Sequence, residues 1–327
     1  MKRKPLLAGL GACLGMLILI LDGKTALAGG AEGIELCLKT VVPSLFPFFV
    51  LSILLTSSLS GVTLPVLRPL GRLCGMPGGT EALLISGFLG GYPVGAQSVA
   101  AVYRCGQLPR REAERLLAFC SNAGPAFLFG MASSLFPRQW MAWALWGIHI
   151  AGAVFAAVLL PGGGCGPVKL PEKKALSLPE ALWQATRVMA SVCGWVVVFR
   201  VVIAFLNRWV LWLLPVTAQV AVTGFLELSN GCCALSNIAD IPLRFLLCSG
   251  MLAFGGLCVT MQTVSVTEEL SLRYYFLGKL LQTAFSLTLA GAVLTKTWGL
   301  CCCAALLLAL ILRKNRKSSS IPAEVGV

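Results

Sequence analysis

Long apolar runs alternate along this chain with short clusters of charge, proline and glycine. The runs fall at about 36–59, 82–103, 116–136, 140–160, 188–206, 216–238, 245–264, 275–294 and 298–312. A helix needs roughly 20 apolar residues to cross a bilayer, so most of these runs predict transmembrane helices. The N-terminal segment 1–28 sets Lys2, Arg3 and Lys4 ahead of another apolar run. That pattern fits a cleavable signal peptide or a retained first transmembrane helix. The retained helix is preferred, because a polytopic protein needs no separate signal.

Two runs do not read as simple spans. The first, 82–103, is split by Gly90-Gly91-Tyr92-Pro93, and the second, 216–238, by Ser229-Asn230-Gly231. Proline lacks an amide hydrogen and clashes with the preceding turn, and Asn-Gly is a strong turn signal. Each half is about ten residues, too short to cross alone. Both runs predict re-entrant helical hairpins. Further breaks fall at Ser121-Asn122-Ala123-Gly124-Pro125 and at Ala253-Phe254-Gly255-Gly256, inside two other spans. Backbone groups freed within a bilayer must be buried in protein or line a polar cavity. Each break is therefore a candidate site.

Composition supports this reading. The chain is 57% hydrophobic and 12% charged, too apolar for a soluble domain. Its net charge of +13 lies in clusters between apolar runs, as in cytoplasmic loops, which argues against nucleic-acid binding. Suppose both hairpins return to the side they came from and the N-terminus is inside. The cytoplasm then receives Lys2–Lys4, Arg68, Arg72, Arg104–Arg115, Lys169–Arg187, Arg273, Lys279 and Arg313–Lys317. Only Lys24, Lys39, Arg138, Arg208, Arg244 and Lys296 fall outside. Full crossing by both hairpins would move the Arg104–Arg115 and Lys169–Arg187 clusters out, so the positive-inside rule favours hairpins. Trp140, Trp209 and Trp298 then lie near the outer interface, which suits tryptophan.

The same layout exposes a repeat. Residues 32–160 and 180–294 each read as span, hairpin, interrupted span, span. Gly87-Phe88-Leu89 matches Gly224-Phe225-Leu226 at the hairpin starts. The units begin from opposite sides, so the fold class is an all-α polytopic membrane protein. It is built as an inverted repeat with two re-entrant hairpins and two interrupted helices. The domains are an N-terminal helix (1–28), the first repeat (32–160), a cytoplasmic linker (161–179) and the second repeat (180–294). A terminal helix with a basic end (295–317) and a disordered tail (318–327) follow. Both termini are cytoplasmic in this layout.

Glu227 is the acid set deepest in an apolar run. A buried membrane carboxylate is costly and marks a functional site by default. It suits a coupling cation, a proton or a solute; the alternative is a structural partnership with Arg200, the basic residue inside a span. Gln97 and Ser98 follow the first break, where they either meet solute or satisfy hairpin backbone. Gly91, Tyr92, Ser229 and Asn230 form the two hairpin tips. Asn122 offers donor and acceptor to a nucleobase-like or sugar-like edge, or glues helices. Thr260 and Gln262 follow the last break with the same two readings. His149 is read as a core hydrogen-bonding residue. The fourteen cysteines lack zinc spacing, so no metal or other cofactor is expected, and Cys301–Cys303 read as helix filler in preference to acylation sites. No nucleophile–base–acid set and no His-Glu-x-x-His motif suggests an enzyme.

The runs Leu45-Phe46-Pro47-Phe48-Phe49-Val50-Leu51, Gly90-Gly91-Tyr92-Pro93-Val94-Gly95-Ala96 and Glu112 to Phe127, with Leu226-Glu227-Leu228-Ser229-Asn230-Gly231, resemble the YlbJ-type sporulation integral membrane proteins. The likeness covers roughly 32–294. These proteins carry the nucleoside recognition, or Gate, domain, which is similar to parts of concentrative nucleoside transporters and ferrous-iron permeases. The resemblance implies a role at the bacterial cytoplasmic membrane during sporulation. It also implies a midplane site framed by two hairpins and two broken helices. The expected function is a permease for a small polar, nucleoside-like solute, with the bilayer as partner and a cation or proton as the coupling partner. A homo-oligomer is left open. The alternative is a non-transporting scaffold for spore-envelope assembly.

Overall fold

In the computed structural model the described residues are 3–59, 62, 64–162, 166–168, 175–299, 301 and 303–305. Expectations placed on Lys2, Lys169, Lys173, Lys174, Cys302, most of the terminal helix and the tail lie outside them. All regular structure among the described residues is helical. Six helical stretches are long and apolar enough to cross a membrane: Gly23–Ser58, Arg110–Leu135, Gln139–Leu159, Leu178–Trp209, Ile241–Val266 and Arg273–Leu294. Neither predicted hairpin is among them.

Helix α1 (Arg3–Leu21) is followed at once by α2 (Gly23–Leu36). The junction is Asp22, whose carboxylate caps α2 by accepting from the Thr25 amide at 3.3 Å. A short charged residue that bonds its own backbone ends one helix and starts the next. The first apolar helix thus ends well before residue 28, and the next span begins well before residue 36. A π turn, Cys37–Val41, leads from α2 into α3 (Val42–Ser58) without a break in the helical path. After the short α4 (Arg68–Leu73) come the pair α5 (Ala82–Phe88) and α6 (Val94–Arg104). Then α7 (Arg110–Cys120) stops at extended residues, and α8 (Pro125–Phe127) resumes and runs on to Leu135. The first half closes with α9 (Gln139–Leu159).

The second half repeats this order. Helix α10 (Leu178–Trp209) starts with a capping box, in which Ser177 and Glu180 satisfy each other's orphan amides. The pair α11 (Val216–Leu226) and α12 (Leu228–Ala234) meets at Glu227. Next, α13 (Ile241–Phe254) and α14 (Gly256–Val266) are separated by Gly255, whose φ of 86° favours glycine. Helix α15 (Arg273–Leu294) is the last long helix among the described residues.

Small residues hold these parts together, as expected where apolar burial gives little net drive between helices. Gly29 and Gly33 on α2 lie against α10; a Cβ at Gly33 would sit 3.0 Å from the Val197 Cα. Arg200 of α10 pairs with Glu32 of α2, not with Glu227. Within the first hairpin, a Cβ at Gly87 would fall 2.6 Å from the Cys120 carbonyl oxygen, and one at Gly95 would run into the same oxygen. In the second, Gly231 packs directly on Gly224, and Gly224 on Met251 of α13. Each hairpin therefore closes on a glycine crossing braced by the following broken helix.

Polar contacts gather at two ends. Arg115 donates to the Cys74 carbonyl at 2.9 Å and to the Gly75 carbonyl at 2.7 Å. Arg104 grips Glu269 at 2.9 Å, and Arg110 donates to the Glu269 backbone at 2.8 Å. The Arg104 hydrogen bonds hold the exposed Glu269 carboxyl below its usual range. Arg244 donates to the Leu135 carbonyl at 2.7 Å and to that of Ile238 at 2.9 Å. Trp140 and Trp209 are half exposed at helix ends. Lys279 is a correction to the charge distribution drawn from sequence: it is fully buried and belongs to no loop.

The glycine crossing gives a test. Gly95→Ala should lower the apparent melting temperature of detergent-purified protein markedly, since overpacking costs about 1–3 kcal/mol or more against rigid backbone. Gly147→Ala, which meets nothing within 4 Å in the interior of α9, should not lower it.

Candidate functional site

The breaks converge on one small cavity of about 40 Å³, enough for a few water molecules. Its wall takes Gly90, Gly91 and Tyr92 from the first tip and Glu227, Leu228 and Ser229 from the second. The broken helices add Gly124, Ala126 and Phe127 on one side and Val259 and Gln262 on the other. Leu45, Phe49, Val192 and Val196 close it from α3 and α10. The tips and broken helices also touch directly. A Cβ at Gly91 would lie 2.9 Å from the Gly124 amide, one at Gly255 2.9 Å from the Tyr92 hydroxyl, and one at Gly256 3.2 Å from the Gly224 carbonyl. The first tip thus contacts both broken helices, and α14 contacts both tips.

Glu227 lies at the α11–α12 break because its backbone is extended there, with φ −145° and ψ 122°. Its carboxylate turns onto the start of α12. It accepts from the Ser229 amide at 2.9 Å, the Asn230 amide at 2.6 Å and the Asn230 side chain at 2.6 Å. The acid is an N-cap that also faces the cavity. Charge-assisted bonds of this kind are strong, and they compensate an ion buried in apolar surroundings.

The first half solves the same problem with side chains from elsewhere. Ser121 is extended at the end of α7, and Pro125 brings no amide to the restart. The freed Ser121 carbonyl accepts from the Lys279 ammonium of α15. The Ala123 amide donates to His149 Nε2 at 3.1 Å, so that nitrogen carries no proton. Asn122 donates to the Phe119 carbonyl at 2.6 Å, and its oxygen accepts from Gln282 at 3.1 Å. Lys279 also donates to the Tyr92 hydroxyl at 3.2 Å and to Gln282 Oε1 at 3.0 Å.

Of the candidate residues, Gly91, Tyr92, Glu227, Ser229 and Gln262 line the cavity. Asn230 stands behind Glu227. Asn122 is buried one layer away, in the Lys279–Gln282 network. Thr260 bonds the Gly256 carbonyl of its own helix at 3.1 Å. Ser98 bonds the Val94 carbonyl at 3.0 Å, and Gln97 is half-buried on α6 away from the cavity wall. The Thr260 and Ser98 hydroxyls thus each satisfy a carbonyl of their own helix. Lys279 and Gln282 are buried hydrogen-bond network residues that hydropathy reading passes over. The signal is their spacing: Tyr275, Lys279, Gln282 and Ser286 recur at helical intervals and are all buried.

These features define an integral membrane protein of the polytopic, all-helical class, with broken helices packed at its centre. The particular likeness is to the sporulation integral membrane protein YlbJ of Bacillus subtilis (strain 168), to which the chain is 26% identical over 78% of its own length and 74% of the relative's. The YlbJ-type resemblance carried by the tip and break motifs is borne out. No family model and no solved structure matches the chain.

Two substitutions test the local geometry. Glu227→Ala should cost about 1–2 kcal/mol of stability through the lost cap. His149→Leu should cost about 1–3 kcal/mol through the orphaned Ala123 amide. Melting-temperature shifts relative to the wild type read both.

Proposed function

We infer that the chain is a membrane permease for a small polar solute, acting in the cytoplasmic membrane of a spore-forming bacterium, and not an enzyme. One observation carries this reading: both tips and both broken helices border a single cavity that holds a carboxylate, a tyrosine and a glutamine. Broken helices meeting at the centre of an apolar bundle are how many secondary transporters expose backbone polarity to solute.

An inverted repeat of re-entrant hairpins is part of the proposal. Support comes from the hydrogen bonds at the two ends. Arg115 reaches the segment before α5, while Arg104, at the end of α6, shares Glu269 with Arg110. Both ends of the first hairpin therefore gather near the start of α7. The other end of that span, Leu135, joins Ile238 and Arg244 where the second hairpin finishes. Hairpins anchored at opposite ends agree with the charge distribution.

The solute is small in this conformation. Drug-sized ligand pockets usually enclose about 300–1,000 Å³, so a nucleoside-like solute requires the tips to part. Glu227 is the proposed coupling group for a cation or proton. A second reading, a non-transporting membrane scaffold for spore-envelope assembly, is favoured by the internal bonding of Glu227 and Asn122.

Flux into proteoliposomes separates these readings. Uptake of a polar solute by the wild type, reduced at least tenfold in Glu227→Gln, is the expected result. Equal flux in both removes Glu227 from coupling. Absence of flux for every solute tried, with Glu227→Gln complementing a sporulation defect, selects the scaffold. For topology, a cysteine placed near Arg111 in an otherwise Cys-free variant should label from the cytoplasmic side; labelling from outside overturns the hairpin arrangement.

A further inference from the structure

Lys279 is a buried charge that the proposed transport cycle does not use. It is fully buried on α15 and has no ion-pair partner among the described residues. An ammonium left without a counter-ion in an apolar interior is costly unless its surroundings replace water. Here they do so with neutral oxygens and a ring face. The Ser121 carbonyl, the Tyr92 hydroxyl and Gln282 Oε1 take its three protons. Besides the Tyr92 hydroxyl, the Tyr275 ring lies 5.8 Å away. Aromatic faces within about 6 Å attract a cation.

This is the ligand set of a monovalent-cation site. A carbonyl freed at a helix break, a hydroxyl and an amide oxygen are hard, neutral donors of the kind that replace the hydration shell of an alkali ion. The position has structural weight. Ser121 ends α7, Tyr92 is the first hairpin tip, and the Tyr92 hydroxyl rests against Gly255 at the second broken helix. One cation at this point ties the first half's two breaks to α15 and, through Tyr92, to α14.

We propose that the Lys279 ammonium is a resident cation filling a monovalent-cation site built by Ser121, Tyr92 and Gln282, and that removing it opens this site to small amines and alkali ions. The wild-type bundle then needs no free sodium or potassium at this position. The inference does not rest on transport: its readout is stability, so it stands or falls separately from the permease reading.

The test uses the purified full chain in detergent, melted in sodium, potassium, methylammonium, ethylammonium or choline chloride at equal ionic strength. Wild type should melt at the same temperature in all five. Lys279→Ala should melt lower in choline chloride, and ethylammonium, methylammonium or an alkali ion should restore at least half the loss with saturable dependence. Choline, too large for the vacated space, should restore none. The proposal is overturned if Lys279→Ala melts like the wild type in choline chloride, or if no small cation restores it beyond choline. Should Lys279→Ala fail to fold in every salt, Tyr92→Phe decides. It removes one oxygen ligand and should lower the melting temperature by a few degrees equally in all salts; a wild-type melting temperature for Tyr92→Phe overturns the proposal.

Discussion

Backbone polar groups freed inside an apolar bundle have to find partners, and the architecture follows from how they are found. Four helix breaks pack together among the described residues. In water each would be hydrated at little cost. In a bilayer each unsatisfied group costs several kcal/mol. The second half pairs its freed amides locally, with the Glu227 carboxylate folded back on Ser229 and Asn230. The first half pairs its freed groups at long range, with His149 from α9 and Lys279 from α15. The two halves share an element order but differ in where their compensation comes from.

That difference has consequences for motion. A locally capped break can move as one piece with its own helix. A break held by side chains of other helices moves only if those helices follow or the bonds exchange. Tyr92 belongs to both systems: it lines the cavity, accepts from Lys279 and presses on Gly255. The first tip is therefore pinned to α15, whereas the second tip carries its own charge compensation.

Much of this was legible in the residues. Gly90 to Pro93, Ser121 to Pro125 and the Gly255-Gly256 pair mark three of the breaks, because proline and glycine interrupt helices for steric and entropic reasons that need no tertiary context. The fourth was misplaced: Ser229-Asn230-Gly231 is helical within α12, and the chain breaks two residues earlier, at Glu227. That Glu227 lies beside a break was legible. Its cap was not, since an extended residue 227 depends on how α11 meets α12. Lys279 was hidden because one lysine near the start of an otherwise apolar helix reads equally as an end-of-span charge. Only packing reveals that the Ser121 carbonyl awaits it. Arg200 was ambiguous for the same reason: its partner Glu32 lies on α2, brought there by the Gly29 and Gly33 contacts. Gln97 and Ser98 follow a break in sequence, but neither lines the cavity.

The central claim is that the breaks of the two halves meet. A photoreactive azidophenylalanine at position 92, irradiated in the membrane and mapped by mass spectrometry, tests it most directly. Cross-links to peptides containing 255–262 or Lys279 are the predicted result. Cross-links confined to residues 82–136 would contradict it.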